Sequence, residues 1–250
     1  MAKVSEFLYT AVIPALGPAT ESMLWTIQGK TLIEISVELA LNIREMQRVA
    51  VVTERENGIH ETFRMKGIDI IVIPTQEHPI NSQLFLLRSD FIGYVLHQIK
   101  GLRKEYLNDN GIIFLDPLCP LIRVEHVNGA IEEYQSQMGK PRPWMDVACF
   151  NEVSNHYHPK KILAIHGEGH LEYYDEKGRD IYQRQQLVGD HYFLRKSAIY
   201  ITDPLKKRDV GKKNAHVIDH IINEPVFSVQ KEHHLQLAAA MRELSFNGKQ

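Results

Sequence analysis

Short apolar runs recur along the chain and alternate with stretches whose apolar residues fall at helical spacing. "FLYTAVIPA" is strand-like. "TLIEISVELALNI" places Leu32, Ile33, Ile35, Val37, Leu39 and Leu41 so as to predict a helix. "RVAVVTE" reads as a buried strand, and "GIHETFRMKG" as a helix closed by Gly67. "IDIIVIP" is a further strand and "DFIGYVLHQIKGLRKEYL" a long amphipathic helix. "GIIFLDPLCPL" is a strand entering a Pro-rich turn, followed by the helix "RVEHVNGAIEEYQSQM". Near-continuous Val/Ile strands that each lead into a helix indicate a parallel sheet covered on both faces. Ligands of such sheets sit beyond the carboxyl ends of the strands. The loops after Ile13, Val52, Ile73 and Leu115 are therefore the expected site lining.

From about 144 to 201 the texture changes. "DVACFNEV", "KKILAIHGEG", "HLEYYDEKGRD" and "FLRKSAIYIT" read as short strands parted by turn residues, with "DEKG" a tight-turn candidate. This predicts an antiparallel excursion from a parallel core, of the kind that serves as a lid or dimer arm. The core pattern then returns, with "PVFSVQ" read as a strand and "EHHLQLAAAMREL" as a closing helix. The 250 residues fit one domain, 1–250, with an inserted arm at about 144–200.

Composition narrows the function classes. A formal net charge of -2 gives neither the basic footprint of a nucleic-acid binder nor a polybasic membrane signal. No apolar run approaches the roughly 18 to 20 residues that span a bilayer. The first apolar run is broken by Pro14 and Pro18 and reads as a strand, not a signal peptide. Cys119 and Cys149 form no ligand pattern, as for free thiols of a reducing compartment, so a cytoplasmic protein is expected.

Four constellations are candidates for chemistry. "LGPATES" follows the first strand, where backbone N–H groups and a helix N-terminus hold phosphates; a plain strand-to-helix turn fits equally. "FLDPLCPLIR" sets Asp116 at the end of a buried strand, either to accept from a base or hold a metal, or to cap the turn before Pro117. In "YQRQQL", Arg184 has the chemistry of a carboxylate or phosphate clamp, against the alternative of a solvated hairpin edge. "NHYHPKKIL" carries His156 and His158 on one strand face, but without Cys or carboxylate partners zinc is disfavoured. His233 and His234 read as an ordinary helix start.

Taken in order, the IPA loop, "GKTLIEISVELAL", "RVAVVTE", "KGIDIIVIP", "FLDPLCPLIR", "HPKK", "RQQL" and "SAIYI" resemble the CMP-sialic acid synthetase family of cytidylyltransferases, over roughly Ala11 to Met241. "GKTLIE" is close to the family's Gly-Lys-Pro-Leu-Ile, "LDPLCPL" echoes Leu-Gln-Pro-Thr-Ser-Pro-Leu, and "RQQL" is the most specific match. The resemblance implies a three-layer α/β, nucleotide-diphospho-sugar transferase-like (Rossmann-like) domain with a small antiparallel dimerisation arm, hence a homodimer. It implies transfer of CMP from CTP to a nonulosonic (sialic-type) acid, with release of pyrophosphate and a requirement for Mg. By position, Leu16, Gly17, Pro18, Asp116 and Pro117 would hold the cytidine nucleotide. Lys161 and Arg184 would face the carboxylate of the acidic sugar.

The sequence also departs from that pattern. Leu16 stands where the family has an Arg, and no cation follows before Lys30. The Asp-x-Asp pair that holds magnesium becomes Ser228 and Gln230, and Lys196-Ser197 replaces an Asn-Gly. Asp116, Asp219 and Glu224 are the carboxylates left to take a metal from another direction. Three functions follow: a divergent cytidylyltransferase, a catalytically impaired relative acting as a binding or scaffold protein, and an enzyme of this fold acting on another nucleotide-sugar.

Overall fold

The computed structural model describes residues 7–16, 20–54, 59, 68–73, 89–102, 105–106, 109–138, 146–152, 159–166, 170–176, 193–204 and 217–247. Strands are β1 (Tyr9–Ala15), β2 (Thr26–Ile27), β3 (Lys30–Thr31), β4 (Met46–Glu54), β5 (Asp69–Ile73), β6 (Gly111–Leu115), β7 (Asp146–Glu152), β8 (Leu163–His166), β9 (His170–Tyr173), β10 (Phe193–Thr202) and β11 (Val217–Ile221). Helices are α1 (Thr20–Met23), α2 (Leu32–Leu41), α3 (Ser89–Leu102), α4 (Val124–Gln137) and α5 (Glu232–Asn247). The helix expected at 58–67 lies outside the described residues, apart from a helical Ile59.

Seven strands form one sheet in the order β11-β7-β10-β6-β1-β4-β5. β1 pairs in parallel with β4 and β6, β4 with β5, and β11 with β7. β10 is antiparallel to both β6 and β7. Every residue of β1 and of β6 is buried, as expected for central strands of a covered sheet. α2 packs on β1 and β4, α3 on β5, and α4 on β7, β10 and β11. The result is the α/β nucleotide-diphospho-sugar transferase-like fold that the sequence predicts.

Local chemistry explains where the elements begin. Thr31 caps α2 by accepting from the Glu34 N–H, while the Glu34 carboxylate accepts from the Thr31 N–H at 2.7 Å, a reciprocal capping box. Asp146 is buried at the start of β7, yet Tyr200 Oη and Thr202 Oγ1 of β10 donate to it at 2.5 and 2.7 Å. That satisfied carboxylate pins the antiparallel strand against its neighbour.

Two segments differ from their expected form. Residues 225–230, read as the strand "PVFSVQ", have no regular structure; buried Val226 and Val229 make them hydrophobic without a ladder. β11 was not expected, because Asp219 and His220 interrupt its short apolar pattern at the sheet edge. The antiparallel texture has two sources: β7 and β10 belong to the main sheet, whereas β8 and β9 form a separate two-stranded hairpin.

Candidate functional site

The chain leaves β1 for β4 and β5 on one side and returns to β6 on the other, so the strand order reverses between β1 and β6. In open α/β sheets the crevice outside the carboxyl ends at such a switch point is where ligands bind. β1 stays paired with β4 as far as Ala15, but its register with β6 ends at Val12 opposite Phe114. β6 itself ends one residue later, at Leu115, and the chain turns away at Asp116, while Pro14 and Ala15 stay in register with β4.

The loops bounding the crevice are those singled out from sequence. On the β1 side, Leu16 is 3% exposed and belongs to the core cluster, so its side chain faces the protein. Gly17 and Pro18 lie outside the described residues. On the β6 side, Asp116 is 5% exposed and its carboxylate Oδ1 accepts from the Leu118 N–H at 2.9 Å. Its carbonyl accepts from the Cys119 N–H at 3.0 Å, and its own N–H donates to Ala198 of β10 at 3.1 Å. Asp116 thus caps the turn through buried Pro117, and one carboxylate oxygen is committed to that turn.

A third segment closes this side. Val229 N–H donates to the Leu118 carbonyl at 2.7 Å, which docks residues 228–230 onto the Asp116 turn. Ser228 and Gln230 flank that bond. Ser228 Oγ is buried without a hydrogen-bond partner, and Gln230 N–H donates to His234 Nδ1 at 3.3 Å. His233 and His234 stand in the first turn of α5.

The carboxylates named for a metal do not gather there. Asp219 lies within β11, and Glu224 is held by Arg123 and His126. Among the described residues no three His, Cys, Asp or Glu side chains are grouped to hold a metal ion. Magnesium characteristically takes one or two carboxylates together with substrate phosphates. Asp116 with neutral Ser228 and Gln230 does not fit the acidic pair that the resemblance implies.

Of the residues placed near an acidic sugar, Lys161 ends a single 3₁₀ turn, Pro159–Lys161, just before the hairpin. Its side chain, like Arg184, His156 and His158 as a whole, lies outside the described residues.

A cluster that the sequence did not announce stands on the other half of the same edge, where α4 begins and the chain leaves β11. Arg123 Nη2 and His126 both reach Glu224, His126 Nε2 standing 3.3 Å from Oε2. His126 Nδ1 accepts from the Arg123 N–H at 3.2 Å, so the neutral ring carries its proton on Nε2 and donates it to Glu224. Burial pushes the His126 pKa down; the Glu224 charge opposes this and the Arg123 charge adds to it. Asn151 Nδ2, at the end of β7, donates to the Ile222 and Glu224 carbonyls at 2.5 and 3.0 Å and fixes the turn carrying Glu224. The signal for this cluster is absent locally, since Arg123 and Glu224 are 101 residues apart.

A separate groove of about 370 Å³ runs between α2, residues 120–125 and Arg242 of α5. It shares none of Leu16, Asp116, Ser228 or Gln230 with the crevice.

Comparison with known proteins bears on the fold. No protein-family model and no curated protein sequence matches the chain. Among solved structures it is similar to a CMP:2-keto-3-deoxy-manno-octonic acid synthetase complexed with CTP, at TM-score 0.63 and 15% identity over 95% of this chain and 99% of that one. It is also similar to the 4-diphosphocytidyl-2C-methyl-D-erythritol synthase of Anaerococcus prevotii, at TM-score 0.59 and 11% identity over 95% and 97% of the two chains. A further 4-diphosphocytidyl-2C-methyl-D-erythritol synthase gives TM-score 0.60 and 12% identity over 93% and 98%.

Proposed function

We propose that the chain is a nucleotidyltransferase of the cytidylyltransferase kind, which binds CTP in the β1/β6 crevice and transfers CMP to a sialic-type acidic sugar. The observation that carries this reading is the crevice itself, at the switch point of the fold and bounded by the Leu16 and Asp116 loops. The two kinds of synthase with this fold act, by name, on cytidine nucleotides. In the reaction the acceptor hydroxyl oxygen bonds to the α-phosphorus of CTP, the bond to pyrophosphate breaks, and the hydroxyl proton is released. The Asp116 turn holds the β6 side of the crevice, with Pro117, while the Leu16, Gly17 and Pro18 loop contributes backbone. Lys161 and Arg184 supply the cations for the acceptor carboxylate.

A second reading, nucleotide binding without turnover, is favoured by one observation. Positions 228 and 230, docked against the Asp116 turn, are a serine and a glutamine. Each contact to developing phosphate charge is worth about 3–4 kcal/mol in a transition state, so their neutrality bears directly on rate.

Calorimetric titration with CTP, with and without magnesium, and pyrophosphate release with a panel of nonulosonic acids test both. CTP binding with pyrophosphate release supports transfer. Binding without release supports the second reading, and no CTP binding refutes both.

We further propose a homodimer formed through the β8–β9 hairpin. Two strands alone are marginal in water, yet Ile162, Leu163, Tyr173 and Tyr174 are exposed on and beside this one. A cytoplasmic setting goes with the reading, since Cys119 and Cys149 are both free thiols. No helix among the described residues is long and apolar enough to cross a membrane.

A further inference from the structure

The turn after β6 and the segment docked on it bring neutral donors to the crevice where a metal site would need acids. Asp116 gives one carboxylate oxygen to the Leu118 N–H, and the Val229 N–H holds residues 228–230 against the Leu118 carbonyl. Ser228 is part-exposed as a residue, yet its Oγ is buried and has no hydrogen-bond partner. A buried hydroxyl left unpaired costs stability, and native structures keep few of them. Because Oγ has no partner to lose, a turn about χ1 presents it to a ligand without breaking a hydrogen bond.

Charge along the bounding segments points the same way. Residues 16–29, 116–122 and 225–230 carry Glu21 and Asp116 and no Lys, Arg or His. The cations next along the chain are Lys30, which pairs with Glu38 at 2.7 Å, Arg123, which pairs with Glu224, and Lys231, which is exposed. Magnesium is held by one or two carboxylates together with phosphate oxygens. A hydroxyl and an amide at 228 and 230 bring it no charge, and the Asp116 carboxylate is already engaged in its turn.

We propose that the crevice binds its cytidine nucleotide without magnesium, with Ser228 Oγ donating to a phosphate oxygen, and that it selects for one phosphate rather than three. The inference rests on the reading of the chain as a CTP-binding protein, and it adds the residue and the ligand charge that the site favours. A serine donates a single O–H and so grips a single phosphate oxygen. With Lys231 the one cation adjoining Gln230 and no acidic pair to bring a metal, these segments do not offset the β- and γ-phosphates. The nucleoside monophosphate part then carries the affinity, and the pyrophosphate part adds little.

The test is calorimetric titration with CTP and with CMP, each in magnesium and in EDTA. It is run on the wild type, Ser228→Ala and the double variant Ser228→Asp with Gln230→Asp, with thermal melting alongside. In the wild type, CMP and CTP should bind within about threefold of each other and ignore magnesium, since one further charge-assisted contact would already give about tenfold. Ser228→Ala should weaken both nucleotides by about tenfold, the size of one hydrogen bond to a charged group. Its melting temperature should not fall, because Oγ makes no hydrogen bond within the chain. The double variant returns two carboxylates and should bind CTP about tenfold more tightly with magnesium than in EDTA. A magnesium gain of about tenfold in the wild type overturns the inference and leaves the CTP reading standing. So does unchanged affinity in Ser228→Ala, the result for a hydroxyl that serves packing alone. A folded double variant whose CTP binding ignores magnesium overturns the assignment to these two positions. Binding of neither nucleotide in either condition refutes the CTP reading and the inference with it.

Discussion

Replacing Asp116 by alanine separates its two possible duties. Leu118, whose N–H the Asp116 carboxylate accepts at 2.9 Å, is almost fully buried. Asp116→Ala removes the carboxylate that accepts from this amide, and leaving a buried donor unpaired costs about 1–3 kcal/mol. For a chain of this size 1 kcal/mol shifts the unfolding midpoint by about 2–4 °C, so a loss of about 2 kcal/mol lowers it by about 4–8 °C. Asp116→Asn keeps an Oδ1 acceptor and should cost less than about 1 kcal/mol. Because the Leu118 carbonyl receives the Val229 N–H, the alanine variant should also speed amide exchange at Val229, a readout that general destabilisation outside this corner would not favour. Thermal unfolding by circular dichroism, exchange at Val229 and CTP titration make the assay. If the asparagine variant keeps both stability and CTP affinity, Asp116 acts as a turn cap; if it keeps stability and loses affinity, its charge serves the ligand. Melting of Asp116→Ala at the wild-type temperature would refute the turn argument.

Three further outcomes are expected. Gly111→Ala places a methyl group 2.9 and 3.0 Å from two ring carbons of fully buried Tyr9, so overpacking should cost about 1–3 kcal/mol, read from the urea midpoint. His126 has its folded pKa below the ordinary 6.5, so the unfolded chain takes up its proton first; its contribution to stability is complete above about pH 6.5 and drains as pH falls toward the folded value. Urea midpoints measured from about pH 7.5 to 5.5 should therefore fall less steeply in His126→Asn than in the wild type. Tyr174→Glu, which charges the most exposed aromatic beside the hairpin at 72% exposure, should shift the protein from dimer to monomer by light scattering.

The parts of the fold legible in the sequence are those with a continuous apolar run or an apolar stripe of their own. β1, β4, β5 and β6 are short apolar runs, and α2 carries both an apolar stripe and the Thr31–Glu34 capping box within its own residues. β11 escaped because an edge strand buries little and Asp219 and His220 occupy its middle. Residues 225–230 misled for the converse reason: Val226 and Val229 are buried by docking on the Asp116 turn, and hydrophobicity alone does not tell a strand from a packed coil. The "DEKG" turn candidate begins just past β9, where the chain bends at Tyr174 and Asp175, and its Lys177 and Gly178 lie outside the described residues. At the site, the crevice loops could be named because each follows a recognisable strand. Arg123 and His126 could not, and Glu224 was named only as a carboxylate for a metal, since nothing in the chain near Arg123 signals a partner that only the sheet order brings to it.

The end of the β1–β6 register at Val12 carries one more consequence. The register with β6 already ends at Val12 opposite Phe114, so Ile13 to Ala15 keep ladder partners on β4 alone. A ligand entering there breaks no ladder hydrogen bonds and pushes no strands apart. Leu16 and Asp116, at 3% and 5% exposure, are already packed on either side of this point, so a ligand there would meet an edge whose described side chains are fixed in advance.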